Sequence, residues 1–209
     1  MKITYAITVC DELKELKTLL NKLLDHNIET RHEIIILHDM SKSNVETEDY
    51  LEYLSENSKI IVYRASLNKD FSYFKNKLLN ISNGDYIFQI DADEIPSENI
   101  LEYLEYILEE NDEVDCFNVP RRNVVEGITK EHIEKWGWRI DENDYINFPD
   151  PQMRIFKNNG NIKWLNKVHE KLYGYTRLST LPNDFFLWHI KDIKKQEFQN
   201  NFYNNINQV

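Results

Sequence analysis

Gly84-Asp85-Tyr86-Ile87-Phe88-Gln89-Ile90-Asp91-Ala92-Asp93-Glu94 is an apolar run that ends abruptly in three carboxylates. Tyr86 to Ile90 reads as a buried strand: it is short, aromatic and β-branched, with a glycine turn before it and Pro96 after it. The carboxylates then sit at the C-terminal edge of a strand, where open α/β sheets bind ligands. Alternation along an extended chain sends Asp91 and Asp93 to one side and Ala92 to the other. Two such carboxylates can share a divalent cation, and hard oxygen ligands suit Mg²⁺ or Mn²⁺ holding the phosphates of a substrate. A solvated acidic turn is the bland alternative, and a bare Asp-x-Asp would leave it ahead; the buried strand in front shifts the balance to a metal site.

Upstream, the same strand-then-helix alternation repeats. Lys2 to Val9 reads as a strand, followed by Leu13, Leu16, Leu19, Leu20, Leu23 and Leu24 at amphipathic-helix spacing, with Asp11 as the expected N-cap. Glu33 to Leu37 is a second strand, running into the polar turn His38-Asp39-Met40-Ser41 and then a helix around Tyr50, Leu51 and Leu54. Lys59 to Tyr63 and Phe71 to Ile81 give a third strand and helix. Strands separated by helices predict a mostly parallel sheet with right-handed crossovers, a Rossmann-like α/β/α sandwich. Downstream, Ser97 is an expected N-cap for a helix carrying Ile100, Leu101, Leu104, Ile107 and Leu108, and Asp115 to Val119 resumes as a strand. Residues 123 to 150 have no clean period and read as a long loop beside a site. Gln152–Lys157, 162–165, 168–172 and 185–190 are short strand-like pieces that predict antiparallel strands added in the C-terminal half. The domain is expected to span 1–190, with 191–209 as a helix or tail packed on it, marked by Phe198, Phe202 and Ile206.

Composition narrows the function. A 209-residue chain with 41% hydrophobic content supports one folded unit, and a net charge of −11 argues against general nucleic-acid binding. Cys10 and Cys116 lack zinc-type spacing and suit free thiols. No signal peptide and no membrane-spanning run is visible, so the expected location is cytoplasmic, with peripheral membrane contact open. The first glycine is Gly84 and only five occur, which removes the Walker A loop, the dinucleotide fingerprint and the glycine-rich loop of nucleotidyltransferases. Phosphate must then be held by a metal or by side chains.

Together these features resemble the family 2 glycosyltransferases, whose fold is GT-A. The resemblance runs over about residues 3 to 190 and rests on ordered segments. Ala6-Ile7-Thr8-Val9-Cys10-Asp11-Glu12 is similar to the family's first strand and turn, with Asp11 where Asn is usual. His38-Asp39-Met40-Ser41 is similar to its Asp-Asp-x-Ser turn, with His38 replacing the first Asp. Asn68-Lys69-Asp70-Phe71 with Lys75-Asn76-Lys77, and Gly84 through Glu94, match further segments. Gln152-Met153-Arg154-Ile155-Phe156 and Val168-His169-Glu170 resemble a bacterial branch that includes lipopolysaccharide core glycosyltransferases.

The resemblance implies a metal-dependent, inverting transfer of sugar from a UDP-sugar to a glycan, lipid-linked or protein acceptor. Thr8, Cys10 and Asp39 would contact uracil or ribose, and Asn68 and Lys75 would add to the donor site. Asp91 would face the ribose and metal-bound water, and Asp93 would ligate Mn²⁺ or Mg²⁺. His189 is a candidate third ligand, with a hydrogen-bonded core histidine as the other reading. Glu170 is the candidate general base and His169 its rival, against a surface ion pair with Lys171. Arg154 would clamp donor phosphates or else hold a structural carboxylate. Gln152 would bind sugar hydroxyls or lie on an exposed strand. For Trp136 and Trp138, packing under the loop is preferred to stacking on an acceptor sugar. The competing functions are a catalytically silent sugar-nucleotide or carbohydrate-binding module and, with less support, a nucleotidyltransferase.

Overall fold

A computed structural model describes the backbone of residues 1–206 and the side chains as far as Asn200, so residues 207–209 of the expected tail and the side chains of Phe202 and Ile206 lie outside it. β1 (Ile3–Val9), β2 (Glu33–Asp39), β3 (Ile61–Ala65) and β4 (Tyr86–Asp91) alternate with α1 (Leu13–Asp25), α3 (Val45–Asn57) and α4 (Phe71–Ile81), after a short extra turn of helix, α2 (Ile28–Arg31). β1 pairs in parallel with both β2 and β4, and β2 with β3. Alternate residues of these strands face opposite layers. Ile3, Tyr5, Ile7, Phe88 and Ile90 pack with α1, α3 and α5 (Glu98–Glu110), whereas Ala6, Ile35, Leu37 and Ile87 pack with α4.

The first half of the chain builds outward from β1 to β3 and then returns to place β4 on the other side of β1. The strand order therefore reverses between β1 and β4, which is a topological switch point. The close entry into β4 requires Gly84, because a Cβ there would lie 2.6 Å from the Thr4 backbone nitrogen.

The second half adds β6 (Cys116–Val119), β8 (Gln152–Lys157) and β11 (Leu178–Thr180), giving a seven-stranded sheet in the order β11-β6-β8-β4-β1-β2-β3. β8 runs antiparallel to both β4 and β6, as the C-terminal pattern predicted. β9 (Lys163–Leu165) and β10 (Lys171–Tyr173) form an antiparallel ribbon whose Trp164 and Leu172 join the α4 layer. A separate three-stranded sheet crosses the carboxyl edge: β5 (Glu94–Pro96), β12 (Leu187–Asp192) and β7 (Arg121–Glu126).

Several sequence expectations change here. Asp11 does not cap α1; Glu12 occupies that position and turns its carboxylate back onto the Cys10 N–H at 2.9 Å. The expected loop from 123 to 150 contains most of β7 and also α6 (Lys130–Trp136), a helix closed by the left-handed Gly137. β5 is hidden within the carboxylate cluster itself. Ser97 does cap α5, accepting from the Ile100 N–H. The chain continues from β12 into α7 (Ile193–Ile206), which packs on β12 and β7. Among the described residues no helix is long and apolar enough to cross a membrane.

Candidate active site

The carboxyl ends of β1 and β4 open into a cavity of about 1020 Å³. Thr8, Cys10, Asp39, Asn68, Lys75, Asp91, Asp93, Glu170 and His189 all line it; Gln152, Arg154 and His169 do not. Register places Thr8 beside Asp91, and the Thr8 hydroxyl donates to Asp91 Oδ1 at 2.7 Å.

Asp91 is tied on both sides. Lys75 Nζ, on α4, lies 3.3 Å from Oδ1, and an Arg154 guanidinium nitrogen, on β8, lies 2.9 Å from Oδ2. Burial alone would raise the Asp91 pKa, but Lys75, Arg154 and Thr8 outweigh it and hold the group well below the usual carboxylate range. Lys75 also reaches Glu170 at 2.8 Å, and its ammonium sits 5.0 Å from the Trp164 ring centre. Burial disfavours charge on Lys75, yet Asp91 and Glu170 raise its pKa. Glu170 thus enters the cavity already paired with a lysine, not with Lys171.

Arg154 is buried and does not line the cavity. Its Nε donates to Glu94 Oε2 at 3.0 Å and its Nη2 to Glu94 Oε1 at 2.7 Å, in addition to Asp91. Of the two readings for this arginine, its contacts fit the structural one, since its Nε and Nη2 are both engaged by carboxylates. The reason is Glu94, fully buried at the start of β5, which needs compensation there. Arg121 supplies more, bridging Glu94 Oε1 at 3.1 Å and Asp150 at 2.8 Å. Gln152 donates to Asp150 Oδ1 at 2.9 Å, so its amide is directed at a carboxylate and not into the cavity. His169 is exposed, with a left-handed φ of 55°.

Asp93 faces a different set of partners. His189 Nε2 lies 3.5 Å from its Oδ2, Lys191 Nζ 3.4 Å and Lys195 Nζ 3.7 Å. Burial would raise the Asp93 pKa; the hydrogen bond and charge of His189, with Lys191 and Lys195, override this and lower it. His189 itself is lowered, chiefly by burial. Its Nδ1 is 2.7 Å from Asn123 Oδ1, and the Asn123 NH₂ is committed to Asp150 at 2.7 Å and to the Ile146 carbonyl at 3.3 Å. That fixes the amide orientation, so Nδ1–H donates to Asn123 Oδ1 and Nε2 lies on the side of Asp93. With no proton on Nε2, its lone pair and the Asp93 carboxylate would suit a cation between them.

No three His, Cys, Asp or Glu side chains converge on one point among the described residues. Any ion here would have Asp93 and His189 as protein ligands and take its other ligands from substrate or water, which suits Mg²⁺ or Mn²⁺. The base-pocket candidates serve the loops as well. Asp39 accepts from the Ser41 N–H, the Ser41 hydroxyl and the Leu67 N–H, which leaves it one acceptor position toward the cavity. Burial and then Asp39 push the Cys10 thiol up to about 12, so it is a neutral wall and not a nucleophile.

Sequence reasoning missed Glu94, Arg121, Asn123, Lys191 and Lys195. One signal was present: Arg121, Asn123 and Val125 line the cavity at a spacing of two, the alternation of a strand, masked by their polarity.

The profile of the family described as "Glycosyl transferase family 2" matches residues 4–174. The SPbeta prophage-derived glycosyltransferase SunS of Bacillus subtilis (strain 168) is 25% identical over 193 residues, covering 88% of this chain and 37% of that protein. Among solved structures, S. aureus TarS 1–349 in complex with UDP-GlcNAc superposes with a TM-score of 0.66 at 16% identity, covering 91% of this chain and 59% of that one. Its complex with UDP gives 0.64 at 15% identity, over 91% and 60%. The chain therefore spans about a third of the curated relative and less than two thirds of these structures. The shared fold is GT-A, with the mostly parallel sheet and the switch point described above. With the profile covering most of its length and the fold agreeing, the chain belongs to glycosyl transferase family 2.

Proposed function

We propose that this chain is a glycosyltransferase that moves a sugar from a UDP-sugar to a hydroxyl of a glycan, lipid-linked or protein acceptor, with Mn²⁺ or Mg²⁺ and inversion at the anomeric carbon. The observation that carries this reading is the pairing of Asp93 with His189, held in place by Asn123, in a switch-point cavity. Family membership and the UDP and UDP-GlcNAc complexes of TarS support the donor class.

Asp93 and His189 would hold the ion, and the ion when bound neutralises the departing diphosphate. Thr8, Cys10 and Asn68 bound the nucleoside end of the cavity, and the remaining acceptor position of Asp39 suits a base N–H. Lys191 and Lys195, beside Asp93, are the cations that line the cavity where the phosphates would lie, a role Arg154 cannot take while it is engaged by Glu94 and Asp91. The acceptor oxygen attacks the anomeric carbon, the bond from that carbon to the phosphate oxygen breaks, UDP departs, and Glu170 takes the hydroxyl proton. Lys75 holds Glu170 at the cavity wall.

UDP release from a panel of UDP-sugars, with and without Mn²⁺, tests the activity, since slow hydrolysis needs no acceptor. Binding without turnover would favour the silent module. Glu170→Gln should retain donor affinity and lose about 10²- to 10⁴-fold in transfer. Full transfer by Glu170→Gln together with loss in Asp150→Asn would move the base to Asp150.

A further inference from the structure

The cavity is longer than the donor reading uses. Beyond His189 it continues along β7 and the segment after α6, lined by Asn123, Val125, Trp138, Ile146 and Asn147. We infer that this end binds the acceptor and that the acceptor presents a neutral saccharide there. The inference rests on the glycosyltransferase reading only for the word acceptor; the saccharide site stands on its own residues.

Charge decides the ligand class first. The charged side chains that β7, the following segment, β12 and α7 contribute to the cavity wall are already matched within the protein. Arg121 is bound by Glu94 and Asp150, and Asp150 also by Asn123 and Gln152. Lys191 is held by Asp93 and Gln199, and Lys195 by Asp93 and Glu15. With Lys191 and Lys195 on the donor side at Asp93, a ligand with a carboxylate or ammonium at this end would have to break the Arg121–Asp150 pair to find a counter-charge. A neutral ligand would not.

The surface that remains is one aromatic ring, two aliphatic side chains and amides. Trp138 ends a row of rings, with His132 stacked on Trp136 at 5.1 Å and Trp136 against Trp138 at 4.6 Å, so the indole is braced from behind while it lines the cavity. Asn147 has a left-handed φ of 55° and uses its Oδ1 on the Arg139 N–H at 2.9 Å, which turns its NH₂ outward as a donor. A flat apolar face beside the Asn147 amide donor matches a pyranose, which offers C–H groups on one face and hydroxyls round its rim. The site also has the right neighbour. Ile146 and Asn123 exchange backbone and side-chain hydrogen bonds at 2.9 and 3.3 Å, and Asn123 is the residue that orients His189.

The test uses the full chain and direct binding of methyl glycosides of glucose, galactose and N-acetylglucosamine, by calorimetry or ligand-observed NMR, with methyl glucuronide as the charged comparison. Millimolar binding of at least one neutral glycoside is expected, about tenfold weaker in Trp138→Ala, weaker again in Asn147→Asp, and partly restored in Trp138→Phe. Absence of binding by every neutral glycoside overturns the inference and leaves protein or lipid hydroxyls as acceptors. Glucuronide bound as tightly as the glucoside overturns its neutral character. UDP affinity with Mn²⁺ is read on the same variants: if Trp138→Ala loses it together with the glycoside, the residue serves the donor or the fold and the assignment is wrong. If glycosides bind but no UDP-sugar does, the saccharide site survives and the glycosyltransferase reading fails.

Discussion

Arg154 offers the sharpest separation between a phosphate clamp and a structural cation. Its guanidinium makes three hydrogen bonds to Glu94 and Asp91, at 3.0, 2.7 and 2.9 Å, with 6% of the side chain exposed, and Glu94 is fully buried. Arg154→Met keeps most of the volume and removes the charge. Glu94 then retains only Arg121 at 3.1 Å and the Asp91 N–H at 3.2 Å, and Asp91 retains Lys75 and Thr8. Removing one partner of a buried pair typically costs about 3–5 kcal/mol, because the other charge is left uncompensated. Domains of this size are stable by only about 5–15 kcal/mol in total, so the loss is a large share of it. In thermal terms it corresponds to a fall in Tm of about 6–20 °C. Urea unfolding should show a lower midpoint at constant slope, and Arg154→Met/Glu94→Gln should recover part of the loss, since both charges have gone. A variant that unfolds at the parental midpoint but no longer binds UDP would refute the structural role and restore the clamp.

Two further outcomes test other parts of the structure. Asp93→Asn should bind UDP weakly whether or not Mn²⁺ is present, whereas the parent should gain most of its affinity from the ion; equal Mn²⁺ dependence in both would remove Asp93 from the metal site. Asp115 is held below its usual pKa by the Thr176 hydroxyl and N–H and by the Arg177 N–H, at 2.5, 2.8 and 3.1 Å. Because the folded value is depressed, its contribution is present above the unfolded value of about 3.9 and is lost as pH falls through the folded one. The Tm difference between parent and Asp115→Asn should be largest above about pH 5 and shrink below pH 4, and a difference that grows on acidification would contradict the sign.

What could be read from the sequence was what has a local cause. α4 and β8 fall on the expected Phe71–Ile81 and Gln152–Lys157, because their apolar periods are bounded by turn residues. The carboxylate cluster at the end of β4 was legible for the same reason: a strand cannot continue through three acids. Its geometry was not. Extended alternation predicts Asp91 and Asp93 as equivalent, yet the strand ends at Asp91, the chain turns through Ala92 and Asp93, and Glu94 opens a new strand paired with β12. β7 was invisible because Arg121, Arg122 and Asn123 point into ion pairs, ring contacts and the cavity, so a half-buried strand has a polar sequence. Partners separated by 60 residues, such as Glu94 and Arg154, leave no periodic trace.

Three acids within four residues set an electrostatic problem whose solution divides them by function. At about 5 Å and an effective dielectric near 20, two like charges repel by about 3 kcal/mol, so each carboxylate needs its own cations. Asp91 and Glu94 obtain theirs from Lys75 and Arg154, which are 5% and 6% exposed and fixed by the sheet and α4. Releasing either cation would unpair a buried charge, so these two acids are part of the frame. Asp93 is served from β12 and α7, and Lys195 is 32% exposed on the helix that lines the cavity. An exposed lysine can leave for water at little cost, because its charge is then solvated rather than stranded. Lys191, 5% exposed, stays with Asp93 as Lys75 and Arg154 stay with Asp91 and Glu94, so Lys195 is the one lysine that Asp93 could give up for a ligand.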